Sequence, residues 1–207
     1  MGMLLPLISC TRLRMELDGD GVTTLVAAKG CPLSCRYCIN SDILSSEVPF
    51  RNVSVSELIE QVRIDDLYFQ ATGGGIAFGG GESLLHADFI KEFAEAMPEG
   101  WKLTVETSLN VPALVLRTVI SYVDMYIVDI KDMNDEIYRA YTGQSNERVV
   151  SNLRLLASEG LSDRVKVRVP LIPGYNTRED CARSVDMLKG IGSFKQIEIF
   201  PYIKREG

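Results

Sequence analysis

Residues 22–38 read VTTLVAAKGCPLSCRYC, an apolar run that continues directly into three closely spaced cysteines. The run from Thr23 to Lys29 has the length and composition of a buried strand. In α/β folds, the loops that follow parallel strands gather over one face, where chemistry is usually found. The sequence therefore predicts that Cys31, Cys35 and Cys38 lie together at the carboxyl end of the first such strand.

The same kind of apolar run recurs five more times along the chain, with helix-period segments between the runs. This alternation predicts an α/β fold whose strands are joined by right-handed crossovers into a parallel sheet. Six units are fewer than the eight of a closed barrel, which leaves a partial (β/α)6 barrel or a flat doubly wound sheet open. The further predicted strands are Gly75 to Phe78, Lys102 to Thr107, Met125 to Ile130, Val165 to Leu171 and Gln196 to Tyr202.

Helix boundaries are signalled by caps and by Gly or Pro. Ser54 and Glu57 form a capping-box pattern ahead of an apolar periodic segment. Further helices are predicted around 89–97 and over 111–122, 149–158 and 178–189. The start, MGMLLPLISCTRLR, has too short an apolar stretch for a signal peptide and is expected to be a buried segment. Residues 39–52 are expected to be a long functional loop.

Composition narrows the class of protein. The 207 residues are 46% apolar, which fits one domain spanning residues 1–207. The net charge is −6, and no Lys/Arg cluster is long enough to follow a phosphate backbone, so nucleic acid is not an expected partner. We expect a cytoplasmic monomer without a membrane partner.

The cysteine spacing indicates a metal centre. Three thiolates so close together cannot pair internally without leaving one over, and they suit an iron-sulfur cluster. A cluster held by three cysteines leaves one iron open to bind a substrate. Two alternatives stay open: free thiols, or a zinc site with a fourth ligand from Cys10, Cys181 or His86. Tyr37 is expected either to cover the cluster or a bound nucleotide, or to pack on the core.

The motif CxxxCxxC with an aromatic residue before the last cysteine resembles the signature of radical S-adenosylmethionine enzymes. More narrowly, DGDGVTTLVAAKGCPLSCRYC at 18–38 is similar to the opening of the pyruvate formate-lyase activating enzyme and related glycyl-radical enzyme activases. The resemblance implies a partial (β/α)6 barrel, one 4Fe–4S cluster on Cys31, Cys35 and Cys38, and S-adenosylmethionine as the second cofactor.

The glycine-rich stretch GGGIAFGGGESLL at 73–85 resembles the activase turn that binds the amino group of S-adenosylmethionine. Gly80, Gly81 and Glu82 occupy that turn here. Glycines let backbone carbonyls approach a ligand closely, and a carboxylate can pair with its ammonium group. The alternative is a turn that only lets the strand exit.

Two further segments extend the resemblance: DIKDMNDEIYRAYTGQSNERVVSNLRLL from residue 129 and VKVRVPLIPGYN from residue 165. Alternation along a strand puts Asp129 and Lys131 on one face, where they serve a zwitterionic ligand or form an internal ion pair. The resemblance implies that Lys131 and Arg168 contact the carboxylate or ribose of the ligand, and that Ile172 supports adenine.

Two departures and one weaker similarity complete the comparison. Glu106 and Thr107 align with activase positions that suggest ligand or monovalent-cation contacts. The chain lacks the cysteine-rich ferredoxin-like insertion of many activases, and Ile203 stands where relatives tend to carry a histidine.

The resemblance implies reductive cleavage of S-adenosylmethionine and a glycyl-radical enzyme, or another protein or peptide, as substrate. One-electron transfer from flavodoxin or ferredoxin is expected. The alternatives are radical modification of a peptide or small metabolite, and a non-catalytic iron-sulfur redox-sensing or accessory module.

Overall fold

The computed structural model describes residues 2–15, 17–44 and 49–202. Within these residues, eight strands form one sheet in the order β3-β1-β2-β4-β5-β6-β7-β8. The strands are β1 Leu4–Met15, β2 Val22–Ala28, β3 Arg51–Ser54, β4 Gly75–Gly80, β5 Lys102–Thr107, β6 Met125–Asp129, β7 Val165–Leu171 and β8 Gln196–Pro201.

Eight helices accompany the strands, together with three short 3₁₀ turns among the described residues. The longer helices follow β4 to β7 and pack on the sheet, and the predicted capping box of Ser54 and Glu57 is present. The helices are α1 Ser41–Leu44, α2 Val55–Val62, α3 Asp66–Thr72, α4 Ala87–Ala96, α5 Ala113–Val119, α6 Asp135–Thr142, α7 Glu147–Ser158 and α8 Arg178–Lys189.

All six predicted strands are confirmed, and they pair in parallel from β2 through β8. Successive side chains along these strands point to opposite faces of the sheet. One set of side chains is fully buried beneath the helices and forms the hydrophobic core, as Phe78, Val105 and Val167 do. The other set faces inward across the sheet and includes the charged residues Asp129 and Arg168, which line a cavity.

Curvature of the sheet settles the choice that the sequence left open. Asp20 lies in the turn before β2, and its carboxylate contacts Lys195, just before β8, at 2.8 Å. Five strand spacings separate β2 from β8, which is about 24 Å in a flat sheet. A side-chain contact across that span requires the sheet to curl, so the fold is a partial barrel.

Two segments differ from the sequence-based expectation. The amino-terminal segment is the long strand β1, antiparallel to β2 and β3, and only alternate residues near its start are buried. The prediction of a buried segment is wrong here, because most residues of β1 are exposed or half-buried. The region 39–52 contains α1 and the start of β3 rather than a continuous loop. Helices α3 and α6, of seven and eight residues, were also not predicted.

No helix in the described part of the chain is long and apolar enough to span a membrane. Ile203, where the resemblance leads us to expect a histidine, lies outside the described residues.

Candidate active site

The three clustered cysteines line one cavity at the carboxyl ends of the strands. Cys31, Cys35 and Cys38 border a space of about 240 Å³, and none forms a disulfide. The segment that carries them leaves β2 and turns over the end of α6, where backbone N–H groups of Ser34 and Arg36 donate to carbonyls of the last helical turn at 2.9 and 3.0 Å. The loop is therefore held by backbone bonds before any metal binds.

The glycine turn after β4 forms the adjoining wall of this cavity. Gly80 has a φ of +94°, which a side chain would strain, and a Cβ on Gly81 would lie 2.0 Å from the Gly30 carbonyl oxygen. The backbone N–H of Glu82 donates to that same carbonyl at 2.8 Å. Glycine is required here because the turn packs directly on the start of the cysteine loop.

Glu82 is buried, and its carboxylate is engaged within the protein. One oxygen accepts from the Thr107 hydroxyl at 2.5 Å and from the Leu84 N–H at 3.1 Å. The other accepts from the N–H and hydroxyl of Ser108, at 2.8 and 2.6 Å. These four donors fill the usual accepting positions of a carboxylate. Glu82 thus ties the end of β5 to the glycine turn, a role that sequence reasoning missed.

A charge network crosses the cavity at the ends of β5, β6 and β7. Asp129 accepts from Lys131 at 3.1 Å and from Arg168 at 2.6 Å. Arg168 also lies 3.4 Å from Glu106. The parallel register places Asp129 beside Arg168, which is why residues 39 positions apart meet.

Electrostatics set the protonation of this network. Burial would raise the pKa of Asp129, but the attraction of Lys131 and Arg168 outweighs it and lowers that pKa. The pKa of Lys131 is raised, since Asp129 outweighs the opposing effect of burial. Burial raises the pKa of Glu106 to about 7, with Arg168 acting in the opposite direction.

The surroundings of Cys31 and Cys35 favour the protonated thiol in the absence of a metal. Burial raises the pKa of Cys35 to about 11, although Lys131 opposes this effect, and burial also raises the pKa of Cys31. Metal binding must therefore release protons, as it does for thiolate ligands generally.

Most of the predicted site residues line the same cavity, and two do not. Those in the lining are Cys31, Cys35, Cys38, Gly80, Gly81, Glu82, Glu106, Thr107, Asp129, Lys131 and Arg168. Outside it, the Tyr37 ring packs edge-on against Tyr141 and Tyr175, and Ile172 is fully buried. Lining residues not predicted include Asn40, Ser108, Tyr141 and Tyr202. The position of Tyr202 at the cavity could have been predicted, because this residue is the last of the predicted strand from Gln196 to Tyr202.

The fourth ligands considered for zinc lie elsewhere. Cys181 is buried with its sulfur 3.7 Å from the Pro170 carbonyl, and His86 contacts the Lys29 carbonyl at 2.8 Å. Cys10 belongs to β1. Across residues 2–15, 17–44 and 49–202, no group of three or more His, Cys, Asp or Glu side chains converges as a single ion requires. The donor set of three thiols around an open cavity fits a larger iron-sulfur cluster.

Comparison with known proteins agrees with this geometry. A sequence model of the Radical SAM superfamily matches residues 25–188. The chain is 30% identical over 216 aligned positions to the pyruvate formate-lyase 2-activating enzyme of Escherichia coli K12, covering 89% of this chain and 73% of that protein.

Two further similarities are more local. The (2S)-3-sulfopropanediol dehydratase activating enzyme of Klebsiella oxytoca is 38% identical over 127 residues, which are 61% of this chain and 39% of that protein. A crystal structure of a domain of the pyruvate formate-lyase activating enzyme from Bacteroides vulgatus superposes with a TM-score of 0.55 and 26% identity. The match covers 62% of this chain and 81% of that one.

Proposed function

Because this chain belongs to the radical SAM superfamily and is an enzyme that uses a 4Fe–4S cluster and S-adenosylmethionine, we propose that it installs a glycyl radical on a partner enzyme. The observation that carries the proposal is a single cavity in which three cysteines face a glycine turn and a cationic pair.

Cys31, Cys35 and Cys38 are the proposed ligands of the cluster. A cluster held by three cysteines would leave one iron open to the nucleotide. With both cofactors bound, the cluster would supply the electron for reductive cleavage of S-adenosylmethionine, and hydrogen abstraction from the substrate would follow. The protein supplies the geometry: the backbone bonds of the cysteine loop to α6 and to the glycine turn would keep the ligands in place.

The nucleotide contacts follow from the cavity lining. We assign the carboxylate of the nucleotide to Lys131 and Arg168, whose positive charges already face the cavity. We assign the ammonium group to the glycine turn, because Gly80 and Gly81 line the cavity. Glu82 supports the turn from behind, since its carboxylate is filled by four internal donors. Glu106 and Thr107 line the same cavity.

A polypeptide substrate is supported by two observations. Two relatives are named as activating enzymes of other proteins, one for pyruvate formate-lyase and one for a dehydratase. The sheet is a partial barrel whose last strand, β8, is an edge. An open side of this kind admits a segment of another chain to the cavity.

Electrons are proposed to come from flavodoxin or ferredoxin. Apart from the three clustered cysteines, the sequence contains only Cys10, on β1, and Cys181, on α8. Two cysteines on separate elements cannot hold a second cluster. We further propose that residues 1–207 act as one domain and as a monomer in the cytoplasm.

The test is direct. The reconstituted protein, a chemical reductant and S-adenosylmethionine are incubated anaerobically with a purified glycyl-radical enzyme, and the partner is examined by electron paramagnetic resonance. We expect a carbon-centred radical that disappears when the partner's acceptor glycine is changed to alanine. Cleavage of the nucleotide without a radical on any glycyl-radical enzyme tested would instead favour a peptide or small metabolite as substrate.

A further inference from the structure

Four tyrosine rings pack beside the cysteine loop. Tyr37, Tyr141, Tyr175 and Tyr202 form edge-to-face pairs with centroid distances from 5.1 to 6.5 Å. They come from four separate parts of the chain: the loop itself, α6, the turn after β7 and the end of β8. Edge-to-face rings of this spacing attract one another and exclude water. The group joins the cysteine loop to the last strand of the barrel.

One member of this group also bonds to the loop's backbone. The Tyr202 hydroxyl donates to the carbonyl of Tyr37, which lies between Cys35 and Cys38. Tyr202 is itself fixed, because its N–H donates to the Leu171 carbonyl of β7 at 3.0 Å. The bond therefore connects the backbone between Cys35 and Cys38 to the carboxyl end of β8.

The bond completes the support of the cysteine loop. On one side, the Ser34 and Arg36 N–H groups bond the end of α6. On the other, the Asn40 amide donates to the Gly80 carbonyl at 2.6 Å. Tyr37 lies between these two anchors, within a segment that forms neither helix nor strand. Residues that hold metal ligands from behind keep those ligands oriented, and their loss loosens the metal.

We propose that Tyr202 is a positioning residue for the cluster, whose hydroxyl fixes the peptide between Cys35 and Cys38 and so couples the end of β8 to cluster geometry. This inference rests on the proposed function insofar as the three cysteines bind a cluster. It assigns a specific task to a residue whose ring also lines the cavity. Tyr141 takes part through its backbone carbonyl, which accepts from the Arg36 N–H, and through its ring; its hydroxyl also interacts with that of Tyr202.

The chain offers a matched control. Tyr175 belongs to the same ring group, but among the described residues its hydroxyl has no hydrogen-bond partner. Tyr202→Phe and Tyr175→Phe each remove one hydroxyl and keep the ring. Only the first removes a bond to the cysteine loop.

The experiment uses the anaerobically reconstituted holoprotein without a partner enzyme. Iron and sulfide content are measured first, then the rate of iron transfer to a chelator and the line shape of the reduced cluster in electron paramagnetic resonance. We expect Tyr202→Phe to load a similar amount of iron, to release it about three- to tenfold faster and to show a broadened signal. Tyr175→Phe should match the parent in all three measurements.

The outcomes separate this inference from the proposed function. Equal iron release by Tyr202→Phe, Tyr175→Phe and the parent would overturn the positioning role. Equal acceleration in both variants would also overturn it, because ring packing rather than the hydroxyl would then be responsible. A parent that loads no cluster would overturn both claims. A loaded parent that activates no partner would leave the iron-release comparison decisive on its own.

Discussion

Replacement of Glu82 by glutamine tests whether this carboxylate is an internal anchor. Its two oxygens accept from four donors on Leu84, Thr107 and Ser108. Glutamine keeps one oxygen but turns an amide NH₂ toward two of those donors, which are then buried without acceptors. Each such donor costs about 1–3 kcal/mol, and the Ser108 hydroxyl recovers part of this by rotating. We therefore expect Glu82→Gln to lower the free energy of unfolding by about 2–4 kcal/mol.

The assay is urea unfolding of the cluster-free protein under anaerobic conditions. Far-ultraviolet circular dichroism and the fluorescence of Trp101, the single and buried tryptophan, supply two independent probes. Glu60→Gln is the matched control, because that side chain is 81% exposed and its replacement should change stability by less than about 0.5 kcal/mol. Unchanged stability of Glu82→Gln, combined with loss of S-adenosylmethionine binding, would refute the anchor and make Glu82 a ligand.

Three further predictions concern charges. Burial raises the pKa of Glu106 to about 7, so the folded protein holds this proton more tightly than the unfolded chain, and this contribution to stability, at most about 3 kcal/mol, should be lost as the pH rises from about 4.5 to 7; urea titrations across that range should show the parent losing stability relative to Glu106→Gln, and parallel curves would contradict the burial of this carboxyl. Lys131→Met removes one of two cations at the half-buried Asp129 and should cost about 1–3 kcal/mol, against less than about 1 kcal/mol for the exposed Lys102→Met; equal effects would show that partial burial does not strengthen the pair. Asp20→Asn breaks two exposed ion pairs and should cost less than about 1 kcal/mol, a difference that disappears in 1 M salt; a salt-independent loss would mean that another interaction is involved.

The strands and the residues at their ends could be predicted from the sequence because both follow local rules. Short runs that are apolar or alternate between apolar and polar residues predicted β2 and β4 to β8, and the alternation of Asp129 and Lys131 placed both on the cavity side. Strand β1 escaped because its antiparallel pairing is a long-range choice that leaves half of its residues exposed. The prediction of a buried segment was wrong because one face of this strand is exposed to solvent.

The internal partners of the site residues could not be predicted from the sequence. The sequence around Glu82 does not indicate that Thr107 and Ser108 donate hydrogen bonds to its carboxylate, since those contacts depend on how β4 and β5 pair. The same holds for Tyr202, whose bond to Tyr37 spans 165 positions. Tyr37 was expected either to cover the cofactors or to pack. The structure shows its ring packed against Tyr141 and Tyr175.

The most direct test of the central claim is to quantify 5′-deoxyadenosine after anaerobic reconstitution, reduction and addition of S-adenosylmethionine. The parent is compared with a variant in which Cys31, Cys35 and Cys38 are alanine, and with a Cys10→Ser, Cys181→Ser variant that leaves the cavity intact. We expect product from the parent and from the Cys10/Cys181 variant, and none from the triple alanine variant. A cluster-loaded parent that forms no product, or product that persists without the three cysteines, would contradict the assignment.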